Sequence, residues 1–239
     1  MAWEPWTGCY PVSTGCKYCY CYGELSKRFG ESCIRRTDDF TKPVDTIYMP
    51  RKKVTKFRIE GGQFVNTCFY SDFFIPEADP WRLEAWQMMR QRPDLHFLFL
   101  TKRIERFPIS LPADWGDGYD NVTIGVSVEN QEMADQRLPV FLSFPIKNRI
   151  VVPSPLLEQI DISAYLHGIR SVSASGESGR EARVCDLNWI INLREQCIAA
   201  GVRFDFRYTG SRLLIDGVLH KIHPNRHAKA AREMGLSTR

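Results

Sequence analysis

Six short runs rich in Val, Ile and Phe, Phe64 to Tyr70, Leu95 to Leu100, Val122 to Val128, Arg149 to Val152, Ile169 to Ser173 and Val202 to Arg207, alternate with amphipathic stretches along this chain. Apolar runs without a clean in/out alternation suit strands buried on both faces, and intervening helices are what cover both faces of a parallel sheet. Helices are predicted over Trp81 to Arg90, behind Pro80, over Asn130 to Leu138 and over Leu187 to Ala200, the last two beginning at the caps Asn130 and Asp186. A short strand over Ala2 to Thr7 and a helix over Tyr22 to Phe29 extend the alternation. About six or seven βα units result. Repeated right-handed crossovers make a full or partial (β/α) barrel, whose ligand face is the C-terminal end of its strands.

Polar residues collect just there. Ser71 and Asp72 follow the second strand, Thr101-Lys102-Arg103 the third, Glu129 and Asn130 the fourth, and Gly176-Glu177-Ser178-Gly179 the sixth. The first strand leads into Cys9, Cys16 and Cys19, spaced C-x6-C-x2-C, with Tyr18 before and Tyr20 after the third cysteine. Four of the eight cysteines fall between Cys9 and Cys21, and clustering favours ligation over packing. Soft thiolates at such spacing bind iron–sulfur clusters or zinc. Three ligands to a four-iron cluster leave one iron open to a small molecule; adding Cys21 as a fourth would instead make a closed structural zinc site. Cys33, Cys68, Cys185 and Cys197 stand in or beside apolar runs, as small buried hydrophobes do.

At 239 residues, 44% hydrophobic and 25% charged, the chain has enough apolar surface for one domain spanning 1–239. No leader is expected, because Met1 to Gly8 holds Glu4 and no apolar run, and no stretch is long enough to cross a membrane. The cytoplasm is the expected location. A net charge of +4 admits nucleic acid as a partner. The basic residues lie at Arg51, Lys52 and Lys53 and in a C-terminal tail over 218–239, where Pro224 breaks any helix aligning His220, His223 and His227. Between Ile34 and Gly62 no element is assigned.

The motifs Trp3-x-Pro5-x-Thr7-Gly8-Cys9 and Gly15-Cys16-x-x-Cys19-Tyr20 resemble a bacteriophage-associated family of unknown function. The likeness continues through Ser71-Asp72, Pro76-Glu77, Thr101-Lys102-Arg103, residues 125–130, Pro155-Leu156-Leu157, residues 176–179 and Gln196-Cys197. More loosely, Cys16-Lys17-Tyr18-Cys19 resembles the end of the radical S-adenosylmethionine signature, especially in the spore photoproduct lyase and DNA-repair-photolyase-like branch; the first cysteine gap is six here rather than three. That resemblance implies a [4Fe-4S] cluster on Cys9, Cys16 and Cys19, S-adenosylmethionine as cofactor, an electron donor, and a 5′-deoxyadenosyl radical acting on a nucleic acid or nucleotide. It implies a cofactor-binding set of Ser71, Asp72, Lys102, Ser127, Glu129, Gly176, Glu177 and Ser178, with Lys102 on the cofactor's carboxylate and Asp72 on its amine or ribose. Two alternatives stay open: a nucleic-acid-binding module with a structural metal, and an iron–sulfur protein without radical chemistry. The chain departs from the family pattern at Pro153-Ser154 and at residues 207–210, where substrate preference is expected to differ.

Overall fold

The computed structural model describes residues 1–22 and 33–238. Its main sheet holds seven parallel strands: β1 (Ala2–Trp3), β2 (Phe64–Thr67), β3 (His96–Thr101), β4 (Val122–Ser127), β5 (Asn148–Val152), β6 (Ser171–Ser175) and β7 (Arg203–Tyr208). Neighbours in the sheet are neighbours along this series, which is the topology of a partial (β/α) barrel. The long helices are α1 (Asp79–Gln91), α2 (Gln131–Ser143) and α3 (Leu187–Ala199), each within a few residues of its predicted span. The first predicted strand breaks in two: beyond β1, Trp6–Thr7 pairs antiparallel with Arg35–Arg36. Residues 20–22 are helical, and the rest of the helix expected over Tyr22 to Phe29 lies outside the described residues.

The chain forms two compact units. The first comprises Met1–Tyr10, Cys21–Ile124 and Pro145–Asn148; the second comprises Pro11–Tyr20, Gly125–Phe144 and Arg149–Arg239.

The first unit is built on aromatic packing. Phe73 stacks on Phe99 of β3 at 4.2 Å between ring centres and meets Trp86 of α1 edge-on at 4.7 Å. Trp86 is fully buried and Trp81 half-buried, so both belong to the packing. Arg82, on the same buried face of α1, is also fully buried. It donates from Nε to the Phe73 carbonyl (2.9 Å) and from Nη2 to the Ile75 carbonyl (2.7 Å), while Nη1 pairs with Asp79 (2.6 Å). A segment that would otherwise be a loose loop beyond β2 is thereby fixed.

The span over Ile34 to Gly62 holds a hairpin, Thr46–Met49 against Val54–Phe57, with Arg51, Lys52 and Lys53 exposed in its turn. Arg92 anchors it, donating to the carbonyls of Pro43 and Ile59 with its guanidinium 4.2 Å from the Phe57 ring centre.

In the second unit, the Asn130 side chain caps α2 by accepting from Met133 N, and the Asp186 side chain caps α3 by accepting from Asn188 N. Both caps are as read from the sequence. The C-terminal segment is folded rather than a tail. Arg212–Ile215 pairs antiparallel with Val218–Lys221 and parallel with Cys185–Asp186, and a short helix α4 (His227–Glu233) follows. The chain then runs back along β7: Thr238 N donates to the Phe204 carbonyl (2.9 Å), and Phe204 N and Phe206 N donate to the hydroxyls of Thr238 (2.8 Å) and Ser237 (3.0 Å). Among the described residues, no helix is long and apolar enough to cross a membrane.

Candidate functional site

Buried polar side chains are concentrated where the parallel strands end. In the first unit, Asp72 stands beyond β2 and Thr101, Lys102 and Arg103 close β3. The Asp72 carboxylate is buried and accepts four hydrogen bonds. Oδ1 takes Thr101 Oγ1 (2.7 Å) and Phe74 N (2.9 Å); Oδ2 takes Lys102 N (2.9 Å) and Arg103 Nη1 (3.1 Å). Its acceptor capacity is filled by the protein. Asp72 therefore organises the loop after β3.

Arg103 carries that order to the cysteine segment. Its Nη2 donates to the Tyr10 carbonyl (2.9 Å), its Nη1 reaches Cys9 Sγ at 3.8 Å, and its guanidinium lies 4.7 Å from the Tyr10 ring centre. Burial acts to lower the Arg103 pKa, but the charges of Asp72 and Cys9 outweigh it, and the pKa is raised. Ser71 donates to the Gly8 carbonyl (2.6 Å). Gly8 has φ +98°, and a Cβ there would come 2.6 Å from the Cys33 carbonyl oxygen, so only glycine allows the chain to turn into the cysteine segment. Cys21 is buried and donates to the Phe69 carbonyl (3.2 Å). Lys102 is half-buried, and its ammonium has no hydrogen-bond or ion-pair partner among the described residues.

In the second unit, the remaining cysteines sit on a 3-10 turn over Thr14–Cys16 and the residues after it. Two buried carboxylates hold this turn. Glu129, fully buried beyond β4, accepts from the Ser13 hydroxyl through Oε1 and from Arg137 Nη1 of α2 through Oε2 (2.8 Å). Gly15 lies flat against it, since a Cβ would come 2.7 Å from Oε1. Glu177, beyond β6, is gripped by Arg183 at both oxygens, Nε to Oε2 (2.8 Å) and Nη2 to Oε1 (2.5 Å). Arg183 Nη1 donates onward to the Thr14 carbonyl (2.9 Å), and its guanidinium lies 5.4 Å from the Tyr18 ring centre. Cys16 is buried with Ser13 Oγ at 3.8 Å from its sulfur, and Cys19 is half-buried.

The other predicted residues also lie at or just beyond the strand ends. The Ser127 carbonyl accepts from Arg137 (2.7 Å), Gly176 N donates to the Tyr208 carbonyl (3.0 Å), and the exposed Ser178 hydroxyl lies 3.2 Å from Nδ1 of buried His227. Among the described residues, no group of three or more His, Cys, Asp or Glu side chains is gathered as a metal ion requires. Arg137 and Arg183 are not among the site residues expected from sequence. Arg137 carries a visible signal: it lies on the buried stripe of α2 with Ala134, Leu138 and Phe141, where a cation needs a partner.

The cysteines divide by reactivity. Burial pushes Cys185 and Cys197 up to about 12, Asp186 adding to the first, and burial with the charges of Glu4 and Asp72 raises Cys68 well above the ordinary thiol range. At pH 8 these three remain protonated. Alkylation of the native protein read by peptide mapping is expected to modify exposed Cys33 well before them. Equal rates would mean that the surroundings of these three buried cysteines open readily. Stability should also fall as pH rises from about 9 toward 12, because unfolded thiols ionise there while the buried ones resist.

No curated protein and no solved structure matches this chain. Over residues 1–233 it matches the model of the family described as "Protein of unknown function (DUF5131)", and the chain belongs to that family.

Proposed function

We propose that this protein is a radical S-adenosylmethionine enzyme whose four-iron cluster is held by Cys9, Cys16 and Cys19. The observation that carries the reading is the way buried charges in each unit serve the cysteine segment. Arg103, set by Asp72, holds Cys9 and Tyr10; Glu129 and Arg183 hold residues 13–18. Buried ion pairs are poor sources of net stability, so their use to fix one short segment points to a demand for position. The donor set fits by its chemistry, although the three sulfurs are not gathered in this structure: three thiols within eleven residues, one beside a buried guanidinium, suit an iron–sulfur cluster once drawn together. When bound, such a cluster supplies an open iron for S-adenosylmethionine and the electron for its reductive cleavage.

The residues around it take distinct parts. Lys102, whose ammonium has no partner among the described residues, suits the cofactor's carboxylate. Asp72, already saturated, positions Lys102 and Arg103 in place of binding the amine itself. Glu129 and Glu177 act in the same way on the cysteine turn. The substrate is proposed to be a nucleic acid or nucleotide, in keeping with the photolyase-like resemblance and the exposed basic turn at residues 51–53, and an external donor supplies the electron. A cytoplasmic location belongs to the same proposal.

Anaerobic reconstitution with iron and sulfide tests this, with about four irons per chain expected. Calorimetric titration of that protein with S-adenosylmethionine should show saturable binding, weakened about tenfold in Lys102→Ala, the loss of one charge-assisted hydrogen bond. Dithionite reduction should then release 5′-deoxyadenosine. Stoichiometric zinc without iron would instead favour a structural metal in a nucleic-acid-binding module, and Lys102→Ala with wild-type affinity would remove that residue from the site.

A further inference from the structure

The second unit contains a cationic pocket that the cysteine segment does not explain. About 520 Å³ in volume, it is lined by Arg180, Arg212, Lys221 and His223, with Ser211 and Ile222, and no carboxylate lines it. Arg212 and Lys221 are direct partners across the antiparallel pair Arg212–Ile215/Val218–Lys221, so their side chains leave the same face of the hairpin. Like charges directly opposite one another destabilise a strand pair unless something neutralises them.

No described residue does so. The Arg212 side chain has no hydrogen bond or ion pair among the described residues, and its Nε is buried without an acceptor. The Lys221 side chain has none either. Nε is shielded from water and equally from a ligand oxygen, so the groups able to meet an acceptor in the pocket are the terminal nitrogens of the Arg212 guanidinium, which are not shielded in this way, and the Lys221 ammonium.

The walls are fixed in advance. The Ser211 hydroxyl accepts from Gly179 N (3.0 Å) and lies 3.4 Å from His227 Nε2, whose proton goes to the Ile222 carbonyl, so the hydroxyl keeps its own proton to donate; the Ser211 carbonyl accepts from Ile222 N (3.0 Å). His227 Nε2 lies 3.0 Å from the Ile222 carbonyl. Nδ1 of His223 accepts from Asn225 N (3.3 Å), which places the His223 proton on Nε2.

We propose that this pocket is a phosphate-binding site. A guanidinium fork, an ammonium and a hydroxyl donor suit a multiply charged oxyanion with several acceptor oxygens. The volume falls in the range of ligand pockets and exceeds what a lone ion needs. Two sources carry that chemistry: the terminal phosphate of a small molecule and the phosphodiester backbone of a nucleic acid. The proposal rests on this pocket alone, so it stands whether or not iron binds the cysteines.

Calorimetry on the full chain with inorganic pyrophosphate and with a short single-stranded oligonucleotide tests it. Saturable pyrophosphate binding is expected, weakened about tenfold by either Arg212→Gln or Lys221→Gln and unchanged by Arg207→Gln, an exposed cation outside the pocket. Lys221 is exposed, so its variant keeps the test valid if Arg212→Gln folds poorly. If the oligonucleotide also binds, is displaced by pyrophosphate and weakens with salt at a log-log slope of about −0.7 per phosphate, the backbone is the source. Pyrophosphate binding without oligonucleotide binding identifies a small phosphorylated molecule. Absence of saturable binding of either probe at low salt, or affinities unchanged in a folded Lys221→Gln variant, overturns the proposal.

Discussion

Alanine at Cys9, Cys16 or Cys19 is expected to abolish cluster binding outright, with visible absorbance and protein-bound iron both reduced to background after anaerobic reconstitution. A cluster held by three thiolates has no spare protein ligand, so removal of one leaves two irons exposed to exchange and loss. Cys21→Ala is the informative contrast. Its sulfur donates to the Phe69 carbonyl and is buried, the behaviour of a packed thiol, and iron content should stay at the wild-type level. Arg103→Ala tests the positional part, because Cys9 and Tyr10 would lose the guanidinium that holds them. Wild-type iron content in any of the three cysteine variants would refute the ligand assignment, and loss of iron in Cys21→Ala would make the site four-thiolate and closed.

Arg137→Met should produce a large loss of stability. Glu129 is fully buried and its Oε2 is paired with Arg137 at 2.8 Å. Removing the cation leaves a carboxylate with its charge uncompensated inside the second unit, which typically costs about 3–5 kcal/mol. For a chain of this size that corresponds to a melting temperature lower by roughly 10 °C. The double change Glu129→Gln with Arg137→Met should recover much of the loss, since it removes the charge along with its partner. Urea unfolding of the wild type, both single variants and the double variant reads the loss and the recovery. An Arg137→Met protein within about 1 kcal/mol of wild type would show that water reaches Glu129 or that the Ser13 hydroxyl suffices alone.

The strands of the main sheet are legible in the sequence because their side chains are Val, Ile and Phe buried on both faces. Residues 124–128, consecutive and all buried, are the clearest instance. Helix starts are legible through Asn130 and Asp186, whose side chains do cap. The two hairpins are not. Val54–Phe57 and Val218–Lys221 are almost wholly exposed, so nothing in them alternates between core and solvent. The C-terminal segment also misleads by its charge, because Lys and Arg on exposed strands look like an unstructured tail.

At the site, position is readable and partnership is not. A polar residue after an apolar run marks a strand end, and Asp72, Lys102, Glu129 and Glu177 all occur there. Which cation answers which carboxylate depends on the folded arrangement: Arg103 pairs with Asp72 across 31 residues of chain, Arg183 with Glu177 across six. Asp72 is the instructive case. Its residue type suggests a ligand for an amine, whereas its four internal hydrogen bonds make it a fixture of the loop.

The return of residues 237 and 238 along β7 bears on how the protein behaves in solution. β7 is the last strand of the sheet, and its outward amides at Phe204 and Phe206 would otherwise be open to pairing with any extended chain. Ser and Thr hydroxyls satisfy those amides without presenting a new ladder of backbone donors, so the row of hydrogen bonds stops there. Such a stop is a defence against edge-to-edge aggregation. Replacing Ser237 and Thr238 by Ala would leave those amides unpaired and restore a sticky sheet margin, while leaving every residue of the cysteine segment untouched.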